Sequence, residues 1–322
     1  MRITKKETAL KAIEEWKYGL TAFSEELRAD REVVLACVEW RGSYLEYASE
    51  ELRADKEIVL KAVKQCGLAL KYASDELKSD EEVVLEAIKL YDKAITYASC
   101  ELRRNKDFIL KAVELNGCVL YYVPAQMKKD KEIVLTAVKQ LGWALQWASK
   151  KLRNDKDVVL EAVKKYGLAL QYASEGLRDD KEVVLASLLS MERKGYSFKF
   201  ASDRLRSDRN IALKAISLES WNYKYATVEL RLDKNFILDA VKISLQVLDW
   251  TSAFFEVDKE IIFEAIKCHG EDAFKYSLWI EEDKDFVLDI IKTNSSYFSW
   301  YANEVGFSNR KLYERALALS MS

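Results

Sequence analysis

Hydrophobic and polar positions recur along this chain with a step of 25 residues. Counted from the residue that precedes runs such as "KEVVL", copies start at Lys5, Asp30, Asp55, Asp80, Asn105, Asp130, Asp155 and Asp180. They continue at Asp208, Asp233, Asp258 and Asp283, and the one irregular step, 180 to 208, holds three extra residues. With the starting residue as position 0, position 5 is Leu in eleven of twelve copies, with Phe263 the exception. Position 8 is aliphatic throughout, position 7 is mostly Ala and position 22 is always apolar. A degenerate half-unit spans Ser308 to Leu317. Self-similarity at a fixed period is the mark of a repeat array.

Each copy predicts two short helices. Apolar positions 4, 7, 8 and 11 follow helical spacing, and positions 3 and 5 widen the buried arc. The Asp at position 0 can accept hydrogen bonds from the first-turn amides. An acidic residue at position 2 (Glu57, Asp157, Glu182) suits the positive end of the helix dipole. Position 12 is Gly in seven copies, among them Gly67, Gly142 and Gly167, and predicts a helix stop in left-handed geometry. Tyr91 and Tyr166, at position 11, fall on the arc assigned to the core. A second helix is expected over "LALQYA". One copy reads "YYVPAQM" and puts Pro124 where the others have Ser, so position 19 must be a helix boundary. Ser there would cap a brief turn through "EELR". The "VVL" triplet also suits a strand, but the helical spacing, the Asp and Gly at the ends and the lack of an Asn column favour helix over a leucine-rich repeat.

A unit of 25 residues cannot bury such an arc alone, so the copies must stack. The fold class is therefore all-α: an α-solenoid of about twelve two-helix repeats plus a C-terminal half-repeat cap. Helix layers ~8–10 Å apart would give a curved rod on the order of 100 Å long. It reads as a single array over 1–322. Residues 1–29 form an N-terminal cap repeat, 30–207 regular repeats with an insertion in 180–207, 208–307 divergent repeats and 308–322 a C-terminal cap. Three residues are nearly one helical turn, so the insertion in "SLLSMERKGYSFKF" (187–200) predicts a first helix reaching about a turn beyond its neighbours.

Composition narrows the classes. Apolar residues make up 49%, and a single Pro with ten Gly fits helices joined by short turns. The 51 basic and 53 acidic residues leave a formal charge of −2, which argues against a dedicated nucleic-acid or membrane-surface binder. Five scattered cysteines, with no C-x-x-C pair, read as reduced thiols. The N-terminus lacks a signal-peptide core, and no apolar run approaches the ~20 residues of a membrane span. The expectation is a cytoplasmic or intracellular, monomeric protein; delivery into a host cell would need a route without a cleavable signal.

These repeats, roughly D-x-E-x-V-L-x-A-V-x-x-x-G-x-A-L-x-Y-A-S-x-x-L-R, resemble an uncharacterised tandem-repeat family known as a domain of unknown function. The match is closest over 30–179 and extends over nearly the whole chain. The family occurs chiefly in protists, giant viruses and bacteria that live with protists, often in intracellular or host-directed proteins. The resemblance implies a helical-repeat fold and supplies no reaction. Copies beyond Asp208 depart most: Leu245 stands for the glycine, and Glu256 and Glu281 for the repeat-end Arg.

Chemistry is sparse. The lone histidine, His269 beside Cys268, has no companions at metal-ligand spacing and reads as a partly buried structural residue. No phosphate loop, dinucleotide fingerprint or nucleophile elbow is present. The expectation is no enzyme, no metal and no cofactor. Position 17 forms an aromatic column (Tyr47, Tyr72, Tyr97, Tyr122, Trp147, Tyr172, Phe200, Tyr225, Trp250, Trp300), assigned to the core against a base-stacking ladder. Position 23 forms a basic column that includes Arg53, Arg103, Arg153, Arg178, Arg206 and Arg231. It could track phosphates, but ion pairing with the next repeat's Asp and acidic residue is preferred. Aromatics that break their own columns, Trp40, Tyr121, Trp143 and Trp221, lie around the turn between the two helices and are the candidate partner-binding residues. The preferred function is a protein-binding scaffold or adaptor with another protein as partner; RNA binding through the Arg column is the alternative.

Overall fold

Each repeat's starting Asp does two things at once. In the computed structural model, which describes residues 2–16, 18–251, 258–280, 283–304 and 310–321, Asp155 Oδ1 accepts from the amides of Asp157 and Val158 at 3.1 and 3.3 Å. Its Oδ2 meets Lys131 Nζ of the preceding repeat at 2.9 Å. Lys131 also reaches Asp157, at 2.9 Å. Lys6, Arg31, Lys56, Lys106 and Lys234 repeat this bridge to the next Asp and the acid two residues on. Thus the cation that meets the next Asp comes from position 1, not from the position-23 Arg that the sequence had suggested. One copy breaks the rule at both ends: position 1 is Glu81, and the following cap is the neutral Asn105.

The capped helices run ten residues in most repeats, as in Arg31–Trp40, Lys56–Gln65 and Lys131–Gln140. They bury positions 3, 4, 7 and 8: Ile133, Val134, Ala137 and Val138 are fully enclosed. After the ten-residue helices position 11 lies just past the last helical residue, in extended backbone, so helical phase no longer governs it. Tyr91, assigned to the core from the sequence, is accordingly 46% exposed, and Tyr166 is half-buried.

The glycine at position 12 is a positive-φ helix stop at Gly270, which ends Lys259–His269, but not at Gly42, Gly67, Gly117 or Gly142. Among the described residues only Gly195 and Gly270 are glycines with positive φ. A Cβ on Gly42 would come within 2.1 Å of the Ala62 carbonyl oxygen, and one on Gly142 within 2.4 Å of the Ala162 oxygen. The glycine is there so that one repeat can lie directly on the next.

The expected second helix is a six-residue 3-10 segment in most repeats, such as Gly67–Tyr72, Gly142–Trp147 and Gly167–Tyr172. It buries positions 14, 15 and 18, for example Ala144, Leu145 and Ala148. The boundary at position 19 is where the sequence put it. Ser49, Ser99 and Ser202 accept the Leu52, Leu102 and Leu205 amides at 3.4, 3.3 and 3.2 Å and start one-turn helices. That Ser also links repeats: its amide donates to the position-23 carbonyl of the preceding copy, as in Ser49 to Arg28 and Ser74 to Arg53, both 2.9 Å. Pro124 has no N–H, so this ladder lacks a rung at Arg103.

Close contacts divide the chain into two compact units, Met1–Leu177 and Arg178–Ser322. Both are all-α repeat stacks, with no strand among the described residues and one isolated bridge between Ile3 and Phe23. In the second unit the inserted residues do not lengthen a helix. Lys181–Leu188 is eight residues long, and a loop follows with Arg193 and Gly195 at positive φ. Buried Ser187 donates its hydroxyl proton to Val184 O at 2.7 Å and, 2.8 Å from Ser197 Oγ, can accept that residue's hydroxyl, while Gly195 N donates to Leu188 O. These bonds fold the extra residues back on the helix end. Helix Arg310–Ser320 represents the C-terminal cap. Glu256, Glu281 and the cap's first two residues lie outside the described residues.

Partial burial pushes the Asp155 carboxyl up, but the Lys131 ion pair and the Val158 and Asp157 amides outweigh it and hold it below its ordinary value. Asp30, Asp55, Asp80, Asp130, Asp208 and Asp258 are lowered in the same way. A carboxyl lowered on folding stabilises above its unfolded value and loses that stabilisation as pH falls through its folded one. Thermal melting should therefore be level above about pH 5 and fall below about pH 4. Asp155→Ala should cost about 1 kcal/mol, whereas Glu161→Ala, which removes only a 3.7 Å contact to Lys164, should leave the melt unmoved. Equal shifts for the two variants would refute the cap.

Candidate interaction surface

The short segments and end turns of the repeats carry the aromatic and basic side chains that could meet a partner. Position 17 is not core. Tyr47 and Trp250 are 37% and 42% exposed, and Tyr72, Tyr97, Tyr122, Trp147, Tyr172, Phe200, Tyr225 and Trp300 are half-buried. Phe200, the substitution that suggested a core position, is itself only half-buried.

The four proposed contact residues fall in three places. Tyr121, 53% exposed, and half-buried Trp143 are joined through Trp147, with ring centroids 5.4 and 5.0 Å from it; Tyr122 adds an edge contact to Tyr121 at 4.7 Å. Trp40, 40% exposed, lies apart from them and packs on Tyr44 at 5.6 Å. In the second unit Trp221 contacts Tyr196 and Tyr225 at 4.9 and 5.5 Å. Lys224 Nζ there lies within 5.3 Å of the Trp221, Tyr225 and Trp250 rings.

The position-23 column is half-buried and partly turned inward. Arg103 and Arg231 Nε donate to the Ala98 and Ala226 carbonyls at 3.2 Å, and the Nε atoms of Arg53, Arg153 and Arg206 are buried. Arg206 donates to Tyr225 O and pairs with Asp203, and Arg53 approaches Glu50 at 3.7 Å. Arg178, in the second unit, is also half-buried. Lys128 donates to Tyr121 O at 2.6 Å with its ammonium 5.6 Å from the ring, and burial pushes its pKa down. This row therefore presents cations beside aromatics, with backbone carbonyls holding one donor each of Arg103, Arg206 and Arg231.

Two side-chain hollows show what the repeats can hold. In the first unit, one of about 360 Å³ is lined by Glu50, Arg53, Tyr72, Asp75 and Lys78. In the second, one of about 800 Å³ is lined by Asp249, His269, Glu271, Asp272, Lys275 and Trp300, among others. His269 Nε2 lies 2.6 Å from Val241 O, the structural role the sequence suggested, and Tyr276 donates to Asp249 at 2.6 Å. Burial and the adjacent Asp249 both push the Tyr276 phenol up. Among the described residues no three His, Cys, Asp or Glu side chains are grouped to hold a metal ion. None of those residues forms a helix long and apolar enough to cross a membrane.

Sequence reasoning missed the exposed position-17 rings and the cations Arg104, Lys129, Lys150 and Lys151. The signal for the rings was the frequency of Tyr and Trp, whose polar tips suit a half-wet site. Fold and surface together define a tandem helical-repeat protein with aromatic and basic groups on its short segments. The chain belongs to the family described as Domain of unknown function (DUF4116), whose model matches residues 5–53, 55–103, 80–128, 105–153, 130–178, 155–190, 180–231, 210–254 and 258–305. Most windows span two repeats and start in step with them. No curated protein and no solved structure matches the chain.

Proposed function

We propose that this chain is a non-enzymatic binding scaffold that engages another protein through the short-segment row. The supporting observation is the placement of its exposed rings: Tyr47, Tyr121 and Trp250 stand on those segments, anchored by buried neighbours at positions 15 and 18. Large aromatics held rigidly at a rim lose little entropy on contact, and such residues dominate protein-binding energetics. RNA binding through the Arg column is the weaker reading, because Arg103, Arg206 and Arg231 already donate to backbone carbonyls.

Affinity capture from the native cell, with and without nuclease, tests the proposal. A protein that stays bound after nuclease and is lost from a folded Trp40→Ala/Tyr121→Ala/Trp143→Ala variant is the expected result. Capture that nuclease abolishes would transfer the function to nucleic acid.

A further inference from the structure

Charge along the repeats is uneven. Residues 101–154 carry eleven Lys and Arg against five Asp and Glu, in a chain whose formal total is −2. Carboxylates dominate the end turns before this stretch (Glu25, Glu26, Glu50, Glu51, Asp75 and Glu76), and Glu175 follows it.

The hollow between repeats shows what the change does. Its lining at Glu50, Arg53, Tyr72, Asp75 and Lys78 mixes both signs, and Lys78 pairs with Asp75 at 3.3 Å. Three repeats on, the same stations are Ala125, Lys128, Trp147, Lys150 and Arg153. Both carboxylates are gone, Glu50 giving way to Ala125 and Asp75 to a third cation, Lys150, while an indole takes the place of the Tyr72 phenol. Arg104, Lys129, Lys150 and Lys151 are exposed, and among the described residues none has a carboxylate within ion-pair distance. The same three repeats hold the ring cluster of Tyr121, Tyr122, Trp143 and Trp147 and the missing rung at Pro124.

We infer that the end turns and short segments from Ser99 to Asn154 dock an acidic segment of a partner protein, with an apolar side chain of that segment against Tyr121 and Trp147. The inference rests on the scaffold reading and gives it a place and a partner chemistry. Charge complementarity selects an anion. The short length of the basic stretch selects a peptide over a polynucleotide: a strand following the row would run into the carboxylates at Glu50, Glu51, Asp75 and Glu76, whereas a short segment ends before them. The rings also pack edge to face on one another, as at Trp143–Trp147 and Tyr121–Tyr122, instead of offering the separate faces on which successive bases stack.

Fluorescence anisotropy with the full chain tests this, using a labelled peptide of Glu and Asp interrupted by one Phe and one Leu, beside an oligo(U) RNA of equal formal charge. The peptide should bind, and binding should weaken about tenfold in Lys150→Glu/Lys151→Glu and also in Tyr121→Ala. Lys64→Glu/Lys139→Glu makes the same charge change on the exposed face of the long helices and should leave it unaltered. Tighter binding of the RNA, equal weakening by both charge variants, or no peptide binding would each overturn the inference. If the peptide fails while a protein is still captured through Trp221 and its neighbours, the scaffold reading survives and this location does not.

Discussion

Gly142→Ala is expected to destabilise the first unit by about 3 kcal/mol, the upper range for forcing an atom into a packed interior. The new Cβ would sit 2.4 Å from the Ala162 carbonyl oxygen, 2.8 Å from Tyr166 Cβ and 3.0 Å from the Tyr166 amide nitrogen. Two of these three are backbone atoms of the next repeat, so relief requires moving one repeat off another. Gly176→Ala is the matched control. That glycine stands in the one-turn helix Glu175–Arg178 with nothing within 4 Å of its Cβ direction, and alanine there should stabilise by about 0.5–1 kcal/mol. Urea unfolding followed by far-ultraviolet circular dichroism separates the two. A left-handed helix stop at Gly142 would also make alanine costly, but it would place the strain at that glycine's own backbone. Structure determination of the variant would then show a local φ change and no displaced Ala162.

Phe108→Ala should cost about 3–5 kcal/mol, and Leu110→Ala clearly less. Phe108 is fully enclosed, whereas Leu110 is half-buried. Ranking by regularity of the repeat would reverse this order, because position 5 is Leu in eleven copies while position 3 varies among Val, Ile and Phe, with Thr8 in the first copy. An equal loss in the two variants would mean that the most regular column, not the deepest one, carries the packing.

That contrast shows where the sequence was legible. The Asp caps, the Ser caps and the boundary marked by Pro124 are local: each rests on side chains or amides within three residues, and each was readable from one copy. The reason for the position-12 glycine is not local, since the atom that excludes a Cβ at Gly142 belongs to Ala162, twenty residues on. The same distance hid the bridge from Lys131 to Asp155 and Asp157. Tyr91 and the position-17 rings were misplaced for other reasons. For Tyr91 a period of 3.6 was carried past the helix end into extended backbone, where it does not apply. The position-17 rings read as core because Phe200 can replace Tyr there, although Tyr and Trp also suit a half-wet site. In the inserted stretch, counting three residues as one turn ignored Gly195 and the Ser187–Ser197 bond, which close a loop.

Of the surface, Tyr121, Trp143 and Trp221 were visible as breaks in their columns, and the structure adds the rings they touch. The basic stretch was hidden by a total charge near zero. It emerges only when the end turns are compared copy by copy, as Glu50 with Ala125 and Asp75 with Lys150.

The central claim, that the short-segment row meets a protein partner, is tested most directly by site-specific photo-crosslinking in the native cell. Benzoylphenylalanine would be placed at Tyr121, and in a parallel experiment at Lys139 on the exposed face of a long helix. A discrete protein adduct at Tyr121, resistant to nuclease and absent at Lys139, is the predicted result. Adducts at Lys139 alone, or RNA adducts at Tyr121, would contradict it.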